Sequence, residues 1–365
     1  MSTTQIPATF SKVFYKCDDG TDTTDGIATF NFSAVTQDVK DLFPANQQLI
    51  INYYRNEADA LAEFNAITDI TNYQNIGYPN TQDVYIRVDS ELDNDCLGLG
   101  HHITLNVEKV PIANSVSINP ECDNDRDGIF AFDSSNIQST IIGNQTNVAV
   151  SYFDENNNPL SSPLPNPFIT DSQTIKARIV NTTSQDPNGQ CYNETTIDFI
   201  VNSVPIANTV SPQEQCDDDF DGVASFDTST IQSTILGTQT GMIVKYFDEN
   251  NNPLSSPLPN PFTTASQTII VRVENPQYAI CFDETTIDFI VREKPDFELE
   301  KEATICITNN SSLDITVQNP SGNYSYEWKN ENGDVISNNS IANVSKGGIY
   351  SVKATSMLGC ESEIK

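Results

Sequence analysis

The sequence is poor in basic residues and contains no long apolar run. Its 365 residues include 18 Lys and Arg against 50 Asp and Glu, for a formal net charge of -32 at pH 7. Such an acidic surface repels phosphate backbones and anionic lipid, so we expect no nucleic-acid binding. No apolar run approaches the roughly 20 residues of a membrane helix, so we expect no membrane insertion.

Histidine is nearly absent, and no CxxC pair occurs. The two histidines are adjacent, His101 and His102, and we interpret them as a solvated strand end. A zinc site is not predicted from so few His and no CxxC pair. A Ser-His-Asp triad could use His101 or His102, but a repeat enzyme should keep its His in every copy, and the later modules have none. Paired carboxylates for glycoside hydrolysis stay open in so acidic a chain. The acids cluster in repeated turns, however, which favours metal binding over catalysis, and we predict no enzymatic activity.

What the sequence does contain is internal repetition. Tyr152–Phe168 is identical to Tyr246–Phe262, and Glu194–Val201 is identical to Glu284–Val291. The two offsets are 94 and 90 residues. One module has therefore been copied, and the copies differ by a four-residue loop that lies before the second cysteine of the module.

The repeat divides the chain into four modules. Residues 1–110 are a diverged copy, because residues 25–31 align with residues 127–133, and the pattern changes after residue 294. The predicted modules are therefore 1–110, 111–204, 205–294 and 295–365, the last of them expected to be truncated. Short linkers with proline join them, so neighbouring modules should be each other's first partners in a semi-stiff chain.

Period-two stretches dominate each repeat and predict short strands, as in residues 267–274 and 285–291. A helical turn is predicted over Asp227–Gly237, with Asp227 as the N-cap and Gly237 as the stop. In residues 295–365, the alternation around Trp328 and the hairpin signal Asn332–Gly333 predict a different sandwich. The predicted fold is all-β, with four immunoglobulin-like β-sandwich modules, the first three carrying a short inserted helix.

The eight cysteines fall into four consecutive pairs, one per module. The predicted disulfides are Cys17–Cys96, Cys122–Cys191, Cys216–Cys281 and Cys306–Cys360. Each would close a loop of roughly 55 to 80 residues and contribute about 4 kcal/mol by restricting the unfolded chain. Structural disulfides indicate an oxidising compartment.

An alternating Asp ladder, Cys-Asp-x-Asp-x-Asp-Gly, opens the second and third modules. The carboxylate oxygens of these alternate aspartates can converge on one calcium ion, and the glycine permits the bend that directs them inward. The predicted ligands are Asp123, Asp125, Asp127, the Ile129 carbonyl, Asp133 and Glu194 in the second module. In the third they are Asp217, Asp219, Asp221, the Val223 carbonyl, Asp227 and Glu284. Glu194 and Glu284 enter because each follows the second half of a predicted disulfide.

The ladder has other interpretations. A metal-free acidic turn stays open, because Asp and Gly are common in turns, but the crowded carboxylates repel one another and favour calcium. Asp133 and Asp227 are ambiguous, since each can instead cap a helix. In the first module the ladder is stretched to Asp18, Asp22 and Asp25, and calcium there is left open.

Aromatic pairs recur at equivalent strand ends: Tyr53–Tyr54, Tyr152–Phe153 and Tyr246–Phe247. One ring of each pair is expected to face the core. The other, such as Tyr54, can face outward and stack on a surface glycan or a protein ligand, neither of which the sequence identifies.

These motifs resemble the repeat modules of large secreted Bacteroidetes proteins that the type IX secretion system exports, often labelled gliding-motility-associated. The resemblance rests on the Asp ladder, the YFDENNNPL turn and the ETTID strand, and residues 296–365 are similar to accompanying PKD-like repeats. It implies an extracellular or cell-surface location. We therefore predict a non-catalytic, calcium-stabilised and disulfide-stapled segment for adhesion or display. The alternative is a carbohydrate-binding accessory region of a secreted polysaccharide-degrading enzyme.

Overall fold

The computed structural model describes residues 6–305 and 311–364. The chain forms two compact units. The first comprises residues up to 121 and residues 128–201, and the second comprises residues 122–127 and residues from 202 onward.

The first module contains six strands and two short helices. They are β1 (Lys12–Cys17), β2 (Thr29–Phe30), α1 (Val35–Lys40), β3 (Leu49–Tyr54), α2 (Glu57–Ala62), β4 (Tyr73–Gln74), β5 (Thr81–Ser90) and β6 (Cys96–Glu108). One sheet has the order β1-β6-β5-β3, and β2 and β4 form a second. Phe32, Ile86 and Leu105 are fully buried between them.

The direction of β1 decides where the module's cysteines lie. β1 runs parallel to β6, so that Lys12 is opposite Ile103 and Cys17 is opposite Glu108. Cys96, by contrast, is the first residue of β6. Twelve residues of strand separate the two positions, which corresponds to roughly 40 Å. Cys17 and Cys96 are therefore at opposite ends of the sheet.

The second module repeats this plan. Its elements are β7 (Glu121–Asp123), β8 (Phe130–Phe132), α3 (Ile137–Ile142), β9 (Val148–Phe153), β10 (Pro159–Leu160), β11 (Phe168–Thr170), β12 (Gln173–Asn181), β13 (Tyr192–Phe199) and β14 (Val201–Ser203). The main sheet has the order β10-β9-β12-β13, and two-stranded sheets form from β11 and β8 and from β14 and β7.

The third module lies wholly in the second unit. Its elements are β15 (Gln213–Cys216), β16 (Ala224–Phe226), α4 (Ile231–Leu236), β17 (Ile243–Phe247), β18 (Pro253–Leu254), β19 (Phe262–Thr264), β20 (Gln267–Glu274) and β21 (Phe282–Arg292). The main sheet has the order β15-β21-β20-β17-β18, and β16 pairs with β19. β15 is again parallel to β21, with Cys216 opposite Arg292.

The fourth module has no helix among its described residues. Its strands are β22 (Leu313–Thr316), β23 (Ser325–Lys329), β24 (Val335–Ser337), β25 (Ile341–Val344), β26 (Ser351–Thr355) and β27 (Glu361–Ile364). They form the sheets β22-β25 and β24-β23-β26-β27. Trp328 is 2% exposed, as the alternation predicts, and its Nε1 donates to the Asn339 carbonyl.

The all-β fold with tandem immunoglobulin-like sandwiches and short inserted helices is confirmed. The helix predicted before Gly237 also forms, because Ile231 and Ile235 bury one face against the core and Gly237 follows its last residue. Its predicted N-cap is wrong. The helix begins after Thr230, and the Asp227 carboxylate instead accepts a hydrogen bond from the Ser229 amide.

Two further expectations need correction. Tyr53 and Tyr54 are both buried, at 3% and 1% exposure, so neither ring is available for stacking on a ligand. His102 is not a solvated strand end. It lies inside β6, where its Nδ1 is 2.9 Å from the Phe10 carbonyl oxygen, and burial lowers its pKa.

None of the four helices within residues 6–305 and 311–364, each six residues long, has the length and apolar character required to span a bilayer.

Candidate functional site

The disulfides are the most regular chemical feature of the molecule. They join Cys17 to Cys191, Cys122 to Cys281 and Cys216 to Cys360, with Cα–Cα distances of 5.4, 5.4 and 5.8 Å. In each bond, the first cysteine of one module is joined to the second cysteine of the next module. The bonds therefore connect modules and do not close them individually.

The predicted pairings Cys17–Cys96, Cys122–Cys191 and Cys216–Cys281 are therefore wrong. In the first and third modules, the first strand is parallel to its neighbour and carries the first cysteine to the far end of its own sheet. A disulfide requires Cα atoms within about 7 Å, whereas Cys17 and Cys96 are separated by the length of β6. The pairing Cys306–Cys360 is also wrong, because Cys360 bonds to Cys216. Cys306 lies outside the described residues.

Two carboxylates accept the hydrogen bonds that lie beside the Cys17–Cys191 bond. Glu108, at the end of β6, accepts hydrogen bonds from the Ser184 hydroxyl and from the amides of Gln185 and Asp186, the last two at 2.7 and 3.1 Å. Asp186 in return accepts from the Cys17 amide at 2.9 Å. All the donors from the second module belong to the loop between β12 and β13.

Asp186 also forms an ion pair with Lys16, at 3.3 Å, and its side chain is only 2% exposed. Burial opposes ionisation of this carboxyl. The hydrogen bonds from the Cys17 and Asn188 amides and the charge of Lys16 outweigh that effect, so the pKa of Asp186 lies below its usual value. The carboxylate is therefore ionised in the folded protein and stabilises the junction as an anion.

A guanidinium group makes the polar contacts beside the Cys122–Cys281 bond. Arg126 donates to the carbonyls of Val204 and Pro205 and forms an ion pair with Asp283 at 3.2 Å. Asp283 also accepts from the Ala207 amide. All these groups lie within the second unit.

The third bond, Cys216–Cys360, also lies in the second unit. Arg292 donates to the Leu358 carbonyl and forms an ion pair with Glu214. Lys294 donates to the Asp218 carbonyl. Sequence reasoning did not single out Glu108, Asp186, Arg126 or Arg292. The four-residue difference in loop length pointed to the longer loop, which supplies Ser184, Gln185 and Asp186, but nothing in the sequence pointed to Arg126 or Arg292.

The structure brings the ladder carboxylates together. Asp217, Asp219 and Asp221 each offer an oxygen within 4.8 Å of the others, and Asp123, Asp125 and Asp127 do the same. Gly222 has a φ of +83°, which is the left-handed bend that the glycine was predicted to permit. Three carboxylate oxygens in one turn can supply part of the coordination shell of a calcium ion.

Hydrogen bonds and charge shape this turn. Asp217 is 5% exposed and accepts from the amides of Asp219, Phe220 and Gly222. Burial alone would raise its pKa, but these bonds outweigh burial and lower it. The pKa of Asp219 is raised, by desolvation first and then by the negative charge of Asp221. The turn is therefore preformed, and it carries carboxylates whose repulsion a cation would relieve.

The other predicted ligands have different partners. Glu194 bonds to Arg178 at 2.7 Å, and Glu284 bonds to Arg272 at 2.8 Å. Their proposed place in the shell depended on disulfides that do not form. Asp133 accepts from the Ser135 amide, as Asp227 does from Ser229, and Asp221 accepts from the Val223 amide. Ile129 precedes β8.

In the first module, Asp18 is 6% exposed and accepts from the Gly26 amide through one oxygen. Its other oxygen, Oδ1, is buried without a hydrogen-bond partner among the described residues. Burial raises the pKa of Asp18, and the charges of Asp25, Asp22 and Asp19 add to that effect. Asp22 and Asp25 are bound to nearby groups, the backbone and hydroxyl of Thr24 and the amide of Ile27.

Several solved structures are similar to the chain at low identity. Sidekick-1 immunoglobulin domains 1–4 match at 11% identity and a TM-score of 0.27, covering 97% of this chain and 94% of that one. The extracellular domains 3–5 of Drosophila OTK match at 10% identity and a TM-score of 0.28, covering 70% and 95%. A Ca²⁺-stabilised, ice-binding adhesin of an Antarctic bacterium matches at 11% identity and a TM-score of 0.27, covering 87% and 88%.

No curated protein matches the chain. A family model does, three times in succession, over residues 13–111, 119–205 and 212–295. Together these ranges cover well over half of the sequence, and the model describes the kind of bond observed between successive modules. The chain belongs to the family of Flavobacterium inter-domain disulphide bond domains.

Proposed function

We propose that this chain is a non-catalytic, calcium-stabilised segment of a secreted bacterial cell-surface protein, serving as a stalk for adhesion or display. The observation that carries the proposal is the staggered series of disulfides. Each bond joins the first cysteine of one module to the second cysteine of the next. Bonds in this position resist separation of neighbouring modules, which is what a stalk under tension requires.

The location is proposed on the same observation. Structural disulfides form and persist in oxidising compartments such as the periplasm and the cell surface. The net charge of -32 keeps such a segment soluble and repels other anionic surfaces. We also propose that the type IX secretion system exports the protein. Residues 296–365 are proposed to be PKD-like.

Calcium is proposed for the ladders of the second and third modules. The ligands would be Asp123, Asp125 and Asp127 in one turn and Asp217, Asp219 and Asp221 in the other, because their oxygens converge within 4.8 Å. In the first module, the unpartnered oxygen of Asp18 is the corresponding donor. Bound calcium would cancel the repulsion between the carboxylates and tie each turn to its disulfide.

Thermal unfolding under non-reducing conditions tests the calcium proposal. Chelation with EDTA should lower the midpoint of unfolding, and calcium restored in excess should raise it again, because an ion that binds only the folded state stabilises it. An identical midpoint in EDTA and in calcium would refute calcium binding.

A charge-neutral variant sharpens the test. Asp219→Asn should stabilise the protein in EDTA, because the raised pKa of Asp219 shows that its ionised form is disfavoured in the folded turn. In calcium the same variant should be less stable than the wild type, because a ligand is lost. Glu249→Gln, an exposed acid on a turn of the same module, is the control and should change neither midpoint.

A further inference from the structure

A cleft lies within the first unit, where the first and second modules meet. Its volume is about 520 Å³, and small-molecule sites in proteins span roughly 300–1,000 Å³. Residues 16–18 and Thr23 of the first module line one side, and Arg178 and residues 188–192 of the second module line the other. A molecule bound in this cleft would therefore contact both modules.

Tyr192 places an aromatic ring in the lining of the cleft. It is the first residue of β13 and is 51% exposed. The guanidinium of Arg178 lies 4.4 Å from the ring centroid, and Arg178 is itself held by its ion pair with Glu194 at 2.7 Å. Attraction to a cation that is fixed in this way restricts the motion of the ring. Tyr192 therefore offers a flat apolar surface that can pack against the carbon-bound hydrogens of a ligand.

Side chains that both donate and accept hydrogen bonds surround this ring. Asn188 and Gln190 are exposed on the loop before Cys191, and Thr23 is exposed on the opposite side of the cleft. Each carboxamide group has one acceptor oxygen and two N–H donors, and the threonine hydroxyl both donates and accepts. A ligand hydroxyl has the same double capacity. These side chains therefore match a ligand that is rich in hydroxyl groups.

The charges at the cleft disfavour an anionic ligand. The cations that line it, Lys16 and Arg178, are already paired with Asp186 and Glu194, at 3.3 and 2.7 Å. Asp18 adds a further carboxyl group to the lining, and the chain as a whole has a net charge of -32. Phosphorylated, sulfated or carboxylated ligands would be repelled by this field. The ligand that fits the cleft is therefore uncharged.

We propose that this cleft binds an uncharged saccharide. The Tyr192 ring packs against the apolar face of one sugar unit, and the side chains of Asn188, Gln190 and Thr23 hydrogen-bond to the sugar hydroxyls. The proposal rests on the proposed role in adhesion and names the class of ligand that the chain adheres to.

The third module provides a matched control. It repeats the stacked pair, with the Arg272 guanidinium 4.2 Å from the centroid of the Phe282 ring. The loop before Cys281, however, is four residues shorter than the loop that carries Asn188 and Gln190. The third module thus has the ring and the cation without the longer loop. We therefore expect Phe282→Ala to leave saccharide binding unchanged.

Ligand-observed NMR of the full chain with millimolar oligosaccharides tests the proposal, followed by calorimetric titration of the tightest binder. The probes are oligosaccharides of neutral hexoses and N-acetylhexosamines, with sulfated and uronic-acid oligosaccharides for comparison. We expect binding to a neutral oligosaccharide. Tyr192→Ala should weaken it by about tenfold or more, because the stacking surface is lost. Gln190→Ala should weaken it by about threefold to tenfold, which corresponds to one hydrogen bond.

Unfolding midpoints show whether each variant is folded. Gln190 is an exposed loop residue, so Gln190→Ala tests the site even if Tyr192→Ala destabilises the module. Binding only to the sulfated or uronic-acid probes, or to none of the neutral ones, would overturn the proposal. Binding that both variants leave unchanged, or that Phe282→Ala abolishes, would overturn it as well. A chain that binds no saccharide can still be a display stalk, and its unfolding in EDTA and in calcium tests that proposal separately.

Discussion

The junctions at Cys17–Cys191 and Cys122–Cys281 share a covalent bond and an asparagine contact to the preceding segment, but their charged contacts differ. At the first, Glu108 and Asp186 accept hydrogen bonds from backbone amides on both sides. At the second, the single cation of Arg126 contacts two carbonyls and Asp283. The second and third modules are near copies in sequence, yet anions make the charged contacts of one junction and a cation makes those of the other.

The difference arises from the loop before the second cysteine. In the second module this loop is four residues longer, and it supplies the donors that bind Glu108. Loops tolerate insertions at little thermodynamic cost, whereas a disulfide requires one specific geometry. The covalent bond and the asparagine contact are therefore common to these junctions, and the charged contacts differ.

The largest effect should come from removing the disulfides. The double variant Cys17→Ser/Cys191→Ser should destabilise the protein by about 5 kcal/mol, because the bond closes a loop with a sequence separation of 174. Cys122→Ser/Cys281→Ser, with a separation of 159, should cost nearly the same. Calorimetry of the recombinant chain measures both. Cys96→Ser is the control, and a loss as large as that of the double variants would contradict the assignment of the bonds.

Removing the polar contacts should lower the free energy of unfolding by different amounts at the two junctions. Glu108→Ala removes the acceptor of three hydrogen bonds and should cost about 2 kcal/mol, because hydrogen bonds to charged groups are among the stronger ones. Arg126→Ala removes a largely exposed pair and should cost about 0.5 to 1 kcal/mol. Denaturant unfolding of both variants under non-reducing conditions gives the comparison. Equal losses in the free energy of unfolding would show that the contacts of Glu108 stabilise the protein no more than those of Arg126.

Acid should weaken the first junction selectively. The pKa of Asp186 is lowered in the folded state, so its contribution to stability is fully present above the unfolded value of about 3.9. It is lost as the pH falls through the lower, folded value. The wild type should therefore be more stable than Asp186→Asn above about pH 4, with the difference shrinking below it. Unfolding midpoints measured against pH test this, and a constant difference down to pH 2 would contradict it.

The smallest effect should come from a contact that both copies share. Arg178 lies over the Tyr192 ring at 4.4 Å and bonds to Glu194, while Arg272 lies over the Phe282 ring at 4.2 Å and bonds to Glu284. These exposed pairs should be worth less than about 1 kcal/mol each. Arg178→Ala and Arg272→Ala should therefore produce equal, small shifts in unfolding. A large difference between them would mean that the copies do not share this sheet face.

Much of the fold could be predicted because it depends on local pattern. Alternation placed Ile269, Val271 and Val273 in the core, and Gly237 ended the inserted helix. The ladder turn was also predictable, since alternate carboxylates and a glycine bend are properties of a few consecutive residues. These features needed no information about distant parts of the chain.

The disulfide pairing could not be predicted in the same way. Antiparallel pairing is two to three times as common as parallel pairing, so the local sequence offers no reason to expect a parallel β1. The observed β1 is parallel to β6, and the two cysteines lie at opposite ends of the sheet. In the first and third modules, the direction of the first strand therefore separates the two cysteines of the module. Glu194 and Glu284, whose predicted place depended on the wrong pairings, bond to Arg178 and Arg272 instead.

The sequence by itself determined the modules, their strands and the acidic turns, because repetition, alternation and turn chemistry act over short distances. Only the tertiary structure decided which cysteines meet and which charges hold each junction. The cysteine pairing depends on the direction in which the first strand joins its sheet, and the charged contacts depend on residues far apart in the sequence, so no local pattern encodes either.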